Sequence, residues 1–480
     1  MKRLLSRSAA AISLVLALLV VGHASSRPRY GGTVHVLLHD RVNSIDPAAD
    51  EDYPAARNRI ASLVFESLTM MDQRGQVHAL LATSWSSDST NKIWQFRLRL
   101  ANFHDGSPVT ASDAVTALSK PPFGWKVTAS DRQTVSIESA TPVPSMPEML
   151  AQTRFAIVKR IGDGSLAGTG PFKVTQWQPG ERATLSANED YWGGRPYVDA
   201  IDLQMGTSLR DQILQRQLGP ASVAEVPLDQ VRALEQSNQN LSITQASDLL
   251  VVLFLQPDSA GSSTGKKPVD PRVREVFAYA LNRSAISNVI LQKRGAPATG
   301  LLPQWLTGYE FLLPSRDNPI HARELRADTA ALVIIPPISL AYDFADPASK
   351  LVAERIAVDA REVGLNIQPY GESHLYKNSR STPHADAVLL RLPLSSTNPS
   401  AALAELLEKL DAPKQAITSA LTASHPEELF ETEQKALEDF RIVPIAHVPE
   451  AVWLSNNIHN WQLLPTGGWE LDQLWVEGAR

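Results

Sequence analysis

Residues 94–100 read WQFRLRL and alternate strictly, with Trp94, Phe96, Leu98 and Leu100 on one side and Gln95, Arg97 and Arg99 on the other. A period of two predicts a half-buried strand with a solvated basic face. QTVSIES (133–139) alternates more weakly, and GGTVHVLL (31–38) reads as a strand of β-branched and aliphatic residues behind a glycine pair. LLVVLFLQ (249–256) is unbroken, as expected of a central strand covered on both faces. In DPRVREVFAYALNR, Asp270 can cap and Pro271 suits a first turn. Val273, Val276, Phe277, Ala280 and Leu281 then form one helical stripe. ISLAYDF (338–344), the helical SKLVAERIAVDAREV, and LNIQPY after Gly364 follow as strand, helix, strand. Such alternation predicts an α/β unit with parallel strands and right-handed crossovers.

The stretch NFHDGSPVTASDAV (102–115) sets His104 beside Asp105 and two hydroxyls. Asp105-Gly106-Ser107-Pro108 has the composition of a tight turn, and Thr110 with Asp113 approaches a capping box. The expectation is a helix entry rather than a catalytic constellation. SAGSSTGKKP (259–268) contains Gly-Lys but lacks phosphate-loop spacing, with Lys267 where Ser or Thr is needed.

The chain opens with MKRLLSR, the apolar run AAAISLVLALLVVG and then HASS, the order of a secretory signal. The run is short for a membrane span, and Gly22 and Ala24 suit a cut after Ala24. Cleavage there would take Lys2, Arg3 and Arg7 from a 480-residue chain whose formal charge is already −6. No basic block interleaved with aromatics appears, so nucleic acid is not an expected partner. The absence of cysteine excludes disulfides, thiolate metal sites, a cysteine nucleophile and a lipid-modified cysteine at the export junction. Together these features predict a soluble periplasmic protein. By the loose scale of roughly 150 residues per domain, two or three domains are expected. The 33 prolines are spread as turn punctuation.

No HExxH, G-x-S-x-G or Walker motif occurs, and the 11 histidines are scattered. No cofactor, metal site or catalytic residue is therefore expected. Of the 10 tryptophans, Trp85, Trp94, Trp177 and Trp192 lie beside strand-like segments and read as core, whereas Trp305 sits in a turn-rich loop suited to a ligand.

Five ordered blocks carry a family resemblance: YGGTVHVLL with NSIDP; VFESLTMMDQRGQVHALLATSW; WQFRLRLANFHDGSPVTASDAV; GTGPFKVTQWQPGERATLSANEDYWGGRPYVDAIDL; and PVDPRVREVFAYALNRSAI. They resemble the extracytoplasmic solute-binding proteins of the oligopeptide, dipeptide and nickel group, which serve ABC importers. The resemblance implies an α/β, two-lobed type II periplasmic-binding-protein fold, with an extra subdomain on the first lobe and two hinge strands. The first lobe is expected over 25–49, 166–250 and 451–480, a trimmed extra subdomain over 50–165, and the second lobe over 251–450. The expected partners are a peptide-like, sugar or chelate solute and an inner-membrane permease, with the protein a monomer.

Candidate lining residues are Asn43, Ser44, Asp46, Arg154, Phe155, Trp305, Arg391, Ser395, Ser396 and Asn398. LLRLPLSSTNP (389–399) departs from the family, in which an aspartate there pairs with a peptide amine; here Ser395 and Asn398 offer only neutral groups. Ser222 likewise stands where an acidic residue is common. Arg391 would add positive charge, so these departures predict a neutral or anionic solute. Two other readings remain at this stage: a sensing or degenerate binder on the same fold, and a secreted hydrolase on another α/β scaffold.

Overall fold

The computed structural model describes residues 28–49, 54–119, 124–162, 164–218, 222–226, 228–256, 268–330, 335–373, 375 and 385–478. The export signal and the 259–267 loop lie outside the described residues. Two large sheets organise the chain. The first has seven strands, ordered Phe172–Gln178, Arg182–Ala187, Ala200–Gln204, Thr33–Leu37, Val223–Glu225, Ala451–Leu454, Leu241–Ile243. The second has six: Ala296–Pro297, Ile442–Val448, Asp248–Phe254, Ala387–Pro393, Ile338–Asp343, Ile367–Glu372.

The unbroken apolar run has the predicted place. Strand Asp248–Phe254 lies between two antiparallel neighbours and is buried throughout. Leu249, Val251 and Leu253 enter one core, while Leu250, Val252 and Phe254 enter the other. An apolar residue at every position is what two covered faces require. The strand–helix–strand reading also holds: Ile338–Asp343 pairs in parallel with Ile367–Glu372, and helix Pro347–Glu362 connects them. Helix Pro271–Ala280 starts as expected, with Asp270 accepting from the Arg272 amide.

The alternating segment WQFRLRL forms part of a separate four-stranded antiparallel sheet, ordered Ala82–Ser87, Ile93–Leu98, Thr134–Glu138, Lys126–Ala129. Trp94, Phe96 and Leu98 are buried, but the strand ends at Leu98 and Leu100 is 84% exposed. Arg99 is also not simply solvated, since its guanidinium lies 3.4 Å from the centre of the Trp192 ring. Gln95 and Arg97 are exposed as expected, and of that face only Arg99 is taken up by an aromatic ring.

His104 is a strut between segments. Its amide donates to the Gly168 carbonyl and its ring nitrogen Nε2 lies 3.0 Å from the Gly170 carbonyl. Burial pushes the imidazole pKa down to about 4. Thr110 and Asp113 close the helix entry: the Thr110 amide and hydroxyl both donate to Asp113, at 2.8 and 2.6 Å. The GTG sequence at 168–170 has a steric reason, because a Cβ on Gly168 would sit 1.9 Å from the Val64 carbonyl oxygen.

The chain passes between the large sheets twice, at 244–247 and at 449–450. The two crossings hold each other. The Thr244 amide donates to the Glu450 carbonyl at 2.9 Å, and the Glu450 amide to the Thr244 hydroxyl at 2.8 Å.

Candidate functional site

A cavity of about 780 Å³ lies beside the crossings. Helix Pro54–Val64, the segments around 65–72 and 148–156, Tyr191–Gly193 and the loop 464–472 wall one side; residues 393–397 and the helix turn 405–409 wall the other. Arg154 spans the two walls, with Nη1 donating to Glu408 Oε2 at 2.7 Å.

Each wall contains a buried carboxylate with its own support. Glu66 accepts from Tyr191 Oη at 2.8 Å, Trp192 Nε1 at 2.9 Å and Thr169 Oγ1 at 2.7 Å. Burial pushes its pKa up, and the three donors oppose that rise. Facing it, Glu405 accepts from the Ser395 hydroxyl and pairs with Lys409 at 2.6 Å. Burial alone would raise the Glu405 pKa, but Lys409, Arg154 and Ser395 together hold it down at about 2. Ser395 is therefore attached to an ionised carboxylate rather than standing as an isolated neutral hydroxyl.

A second cavity of about 250 Å³ lies against the crossings themselves. Arg59 reaches from helix Pro54–Val64 to Glu225 at 3.3 Å and to Glu450. Arg391 Nε donates to Asp248 Oδ2 at 2.7 Å, and Asp248 is only 3% exposed in its side chain. Burial and Glu225 push Asp40 up to about 7 against Arg59 and His39. Burial raises Glu450 to about 7 as well, Arg59 opposing and Asp248 reinforcing. No group of three or more metal-ligating side chains occurs among the described residues.

The structure distributes the sequence-predicted residues over several roles. Arg154, Ser395 and Ser396 line the large cavity, and Arg391 lines the small one. The other six line neither. Asn43 is exposed beside Gly180, Ser44 accepts from the Asp46 amide, and Asp46 pairs with Arg160 at 2.5 Å. Phe155 is 4% exposed and stacks on Trp125 in the core. Trp305 donates to the Ala246 carbonyl at 3.0 Å, and Asn398 caps helix Pro399–Lys409 by accepting from the Ala401 amide. Ser222, flagged for its missing charge, is buried and bonded to the His35 backbone.

Sequence reasoning missed Glu66, Glu148, Glu405 and the Arg59 cluster. One signal was available in AALAELLEKL, where Glu405 lies among apolar residues with Lys409 one turn on. A carboxylate on an apolar helical face needs a partner, and the i, i+4 lysine provides it.

The model of bacterial extracellular solute-binding proteins, family 5 Middle, matches residues 76–413. The chain is 25% identical over 257 residues to the probable D,D-dipeptide-binding periplasmic protein DdpA of Escherichia coli (strain K12), covering 48% of each. It is also 25% identical over 318 residues to the glutathione-binding protein GsiB of Escherichia coli O1:K1 / APEC, covering 61% of this chain and 60% of that one. The alignments thus span about half to three-fifths of these relatives' length. Among solved structures, it is similar to the Escherichia coli murein tripeptide binding protein MppA (TM-score 0.79, 18% identity, 92% and 98% coverage). It is likewise similar to NikA from Staphylococcus aureus in complex with Ni(L-His)2 (TM-score 0.77, 17% identity, 93% and 100% coverage). These likenesses show a two-lobed type II periplasmic-binding-protein fold.

Proposed function

Since the chain belongs to the bacterial extracellular solute-binding proteins, family 5, we propose that it captures a small solute between its lobes and delivers it to an inner-membrane ABC permease. The observation that carries this reading is the cavity of about 780 Å³ walled from both sides and spanned by the Arg154–Glu408 pair. That volume suits a solute of a few residues or a small chelate. A solute touching both walls stabilises the closed arrangement relative to the open one, which is the physical requirement for signalling occupancy to a permease. The activity is capture rather than bond-making.

The reading includes export by the N-terminal signal with cleavage after Ala24, a monomeric periplasmic state, and lobes divided at the paired crossings. D,D-dipeptides, glutathione, a murein tripeptide and nickel–histidine are named for similar proteins, so peptide-like and chelate solutes head the panel to be tried. Native mass spectrometry of protein purified from its own envelope tests capture directly, with small-angle scattering before and after solute removal. A co-purifying small molecule whose loss expands the particle is the expected result. A ligand-free protein whose dimensions no solute fraction changes would overturn the proposal.

A further inference from the structure

The large cavity is lined by seven carboxylates and four cations. All four cations already have partners, although one Arg154 nitrogen, Nη2, is buried without a hydrogen bond. Arg59 is held by Glu225 and Glu450, Arg154 by Glu408 and Gln152, Lys409 by Glu405, and Arg57 by Asn58 and the Ala49 carbonyl. Arg391, the cation that suggested an anionic solute, faces the smaller cavity and is paired with Asp248. By contrast, Glu148, Glu470 and Asp472 form no ion pair among the described residues.

Glu148 stands out among these three. It belongs to helix Met146–Met149, lines the cavity, and has one carboxylate oxygen, Oε2, buried without a hydrogen-bond partner. One turn on, Gln152 is 3% exposed; its Oε1 accepts from Arg154 at 2.8 Å while its Nε2 has no partner. A buried acceptor and a buried donor, both unsatisfied at the wall of one cavity, are costly unless something else completes them. Burial pushes the Glu148 pKa up, and only a hydrogen bond from the residue's own backbone opposes the rise.

Building on the solute-capture reading, we propose that the captured solute carries a protonated nitrogen, an ammonium or guanidinium, and that Glu148 is its anchor. Gln152 donates to an acceptor next to that nitrogen. The family-position residue Ser395 does not serve as anchor, because its hydroxyl is already committed to Glu405. The solute therefore fills the charge deficit from the Glu148 wall, which reverses the neutral or anionic expectation drawn from segment 389–399 alone.

The test uses the mature protein and the low-molecular-mass extract of a peptone broth, split on a strong cation exchanger in dilute acid. The column retains every amine and guanidine and passes compounds without them. Each fraction, returned to neutral pH, is assayed by thermal shift against wild type, Glu148→Gln and Glu148→Asp. The retained fraction should stabilise wild type, Glu148→Gln should need at least tenfold more of it for the same shift, and Glu148→Asp should recover part of the response. Stabilisation by the flow-through alone, or an undiminished Glu148→Gln response, would overturn the anchor while leaving solute capture intact. No response to either fraction would instead overturn capture itself, and the anchor with it. Melting of the unliganded variants separates loss of binding from loss of folding, since Gln preserves shape and removes a buried charge.

Discussion

His39 and Ala345, 306 positions apart in sequence, meet between the two large sheets: the His39 Nε2 lies 2.6 Å from the Ala345 carbonyl oxygen. His39 follows strand Thr33–Leu37 of the first sheet, and Ala345 follows strand Ile338–Asp343 of the second. A carbonyl only accepts, so Nε2 carries the proton. Burial would lower the His39 pKa, but the Ala345 carbonyl, Glu225 and Asp40 raise it overall.

This contact predicts that the closed form weakens as pH rises. A histidine raised above 6.5 contributes stability that is complete below that value and lost as pH climbs through its folded pKa. Asp40 and Glu450, raised to about 7, act in the same direction, because the folded form binds more protons than the unfolded one from about pH 4 to about pH 7. Glu405 acts oppositely: held at about 2, it loses its contribution as pH falls from the ordinary glutamate value. Melting temperature should therefore peak near about pH 5, with a more expanded particle at about pH 8 by small-angle scattering. A flat profile between those values would contradict the assigned protonation.

A second prediction isolates the cross-cavity pair. Arg154→Ala removes the guanidinium that joins the walls and leaves Glu408 without its partner. Both side chains are partly exposed, so the bias lost is about 1 kcal/mol rather than the several expected of a buried pair. The unliganded particle should expand, solute affinity should fall several-fold, and the melting temperature should change little. A large melting-temperature loss would mean that the pair supports folding more than closure.

Much of the architecture was legible because its signals are local. Leu249 to Phe254 are apolar at every position since both faces of that strand are buried, and Asp270 and Pro271 supply a cap and a first-turn residue from adjacent positions. The site was less legible because its partners are remote in sequence. Nothing near Arg391 reveals Asp248, and nothing near Ser395 indicates that Glu405 turns back toward it from the next helix. Segment 389–399 offered only the neutral Ser395 and Asn398, and nothing in it indicated that a carboxylate, Glu405, stands behind Ser395. Phe155 and Asn398 illustrate the converse, since a core stack and a helix cap read like ligand contacts while their partners remain unseen.

A third prediction concerns Glu66, which holds Tyr191, Trp192 and Thr169 at once. Glu66→Ala leaves several donors unsatisfied, at about 1–3 kcal/mol for each that water cannot reach. Chemical denaturation should show a loss at the upper end of that range or beyond. Tyr191 and Trp192 line the cavity, so solute affinity should fall as well. Glu66→Gln keeps the volume and one acceptor and should cost less; equal losses from the two variants would show that packing, not acceptance, is the role of this residue.

The last prediction separates two roles for Arg391. A residue that holds an anionic solute can be truncated with little effect on the unliganded fold, whereas one that neutralises a buried partner cannot. Asp248 is 3% exposed in its side chain and opens the strand that follows one crossing between the lobes, with the Arg391 Nε 2.7 Å from its Oδ2. Removing one member of such a pair leaves a buried charge, which typically costs about 3–5 kcal/mol, while replacing both with apolar groups of similar size is often near neutral. Arg391→Met should therefore lower the midpoint of urea unfolding substantially, and Arg391→Met with Asp248→Leu should restore most of it. If Arg391→Met instead keeps full stability and loses affinity for anionic solutes alone, the arginine is a ligand contact and the anionic expectation returns.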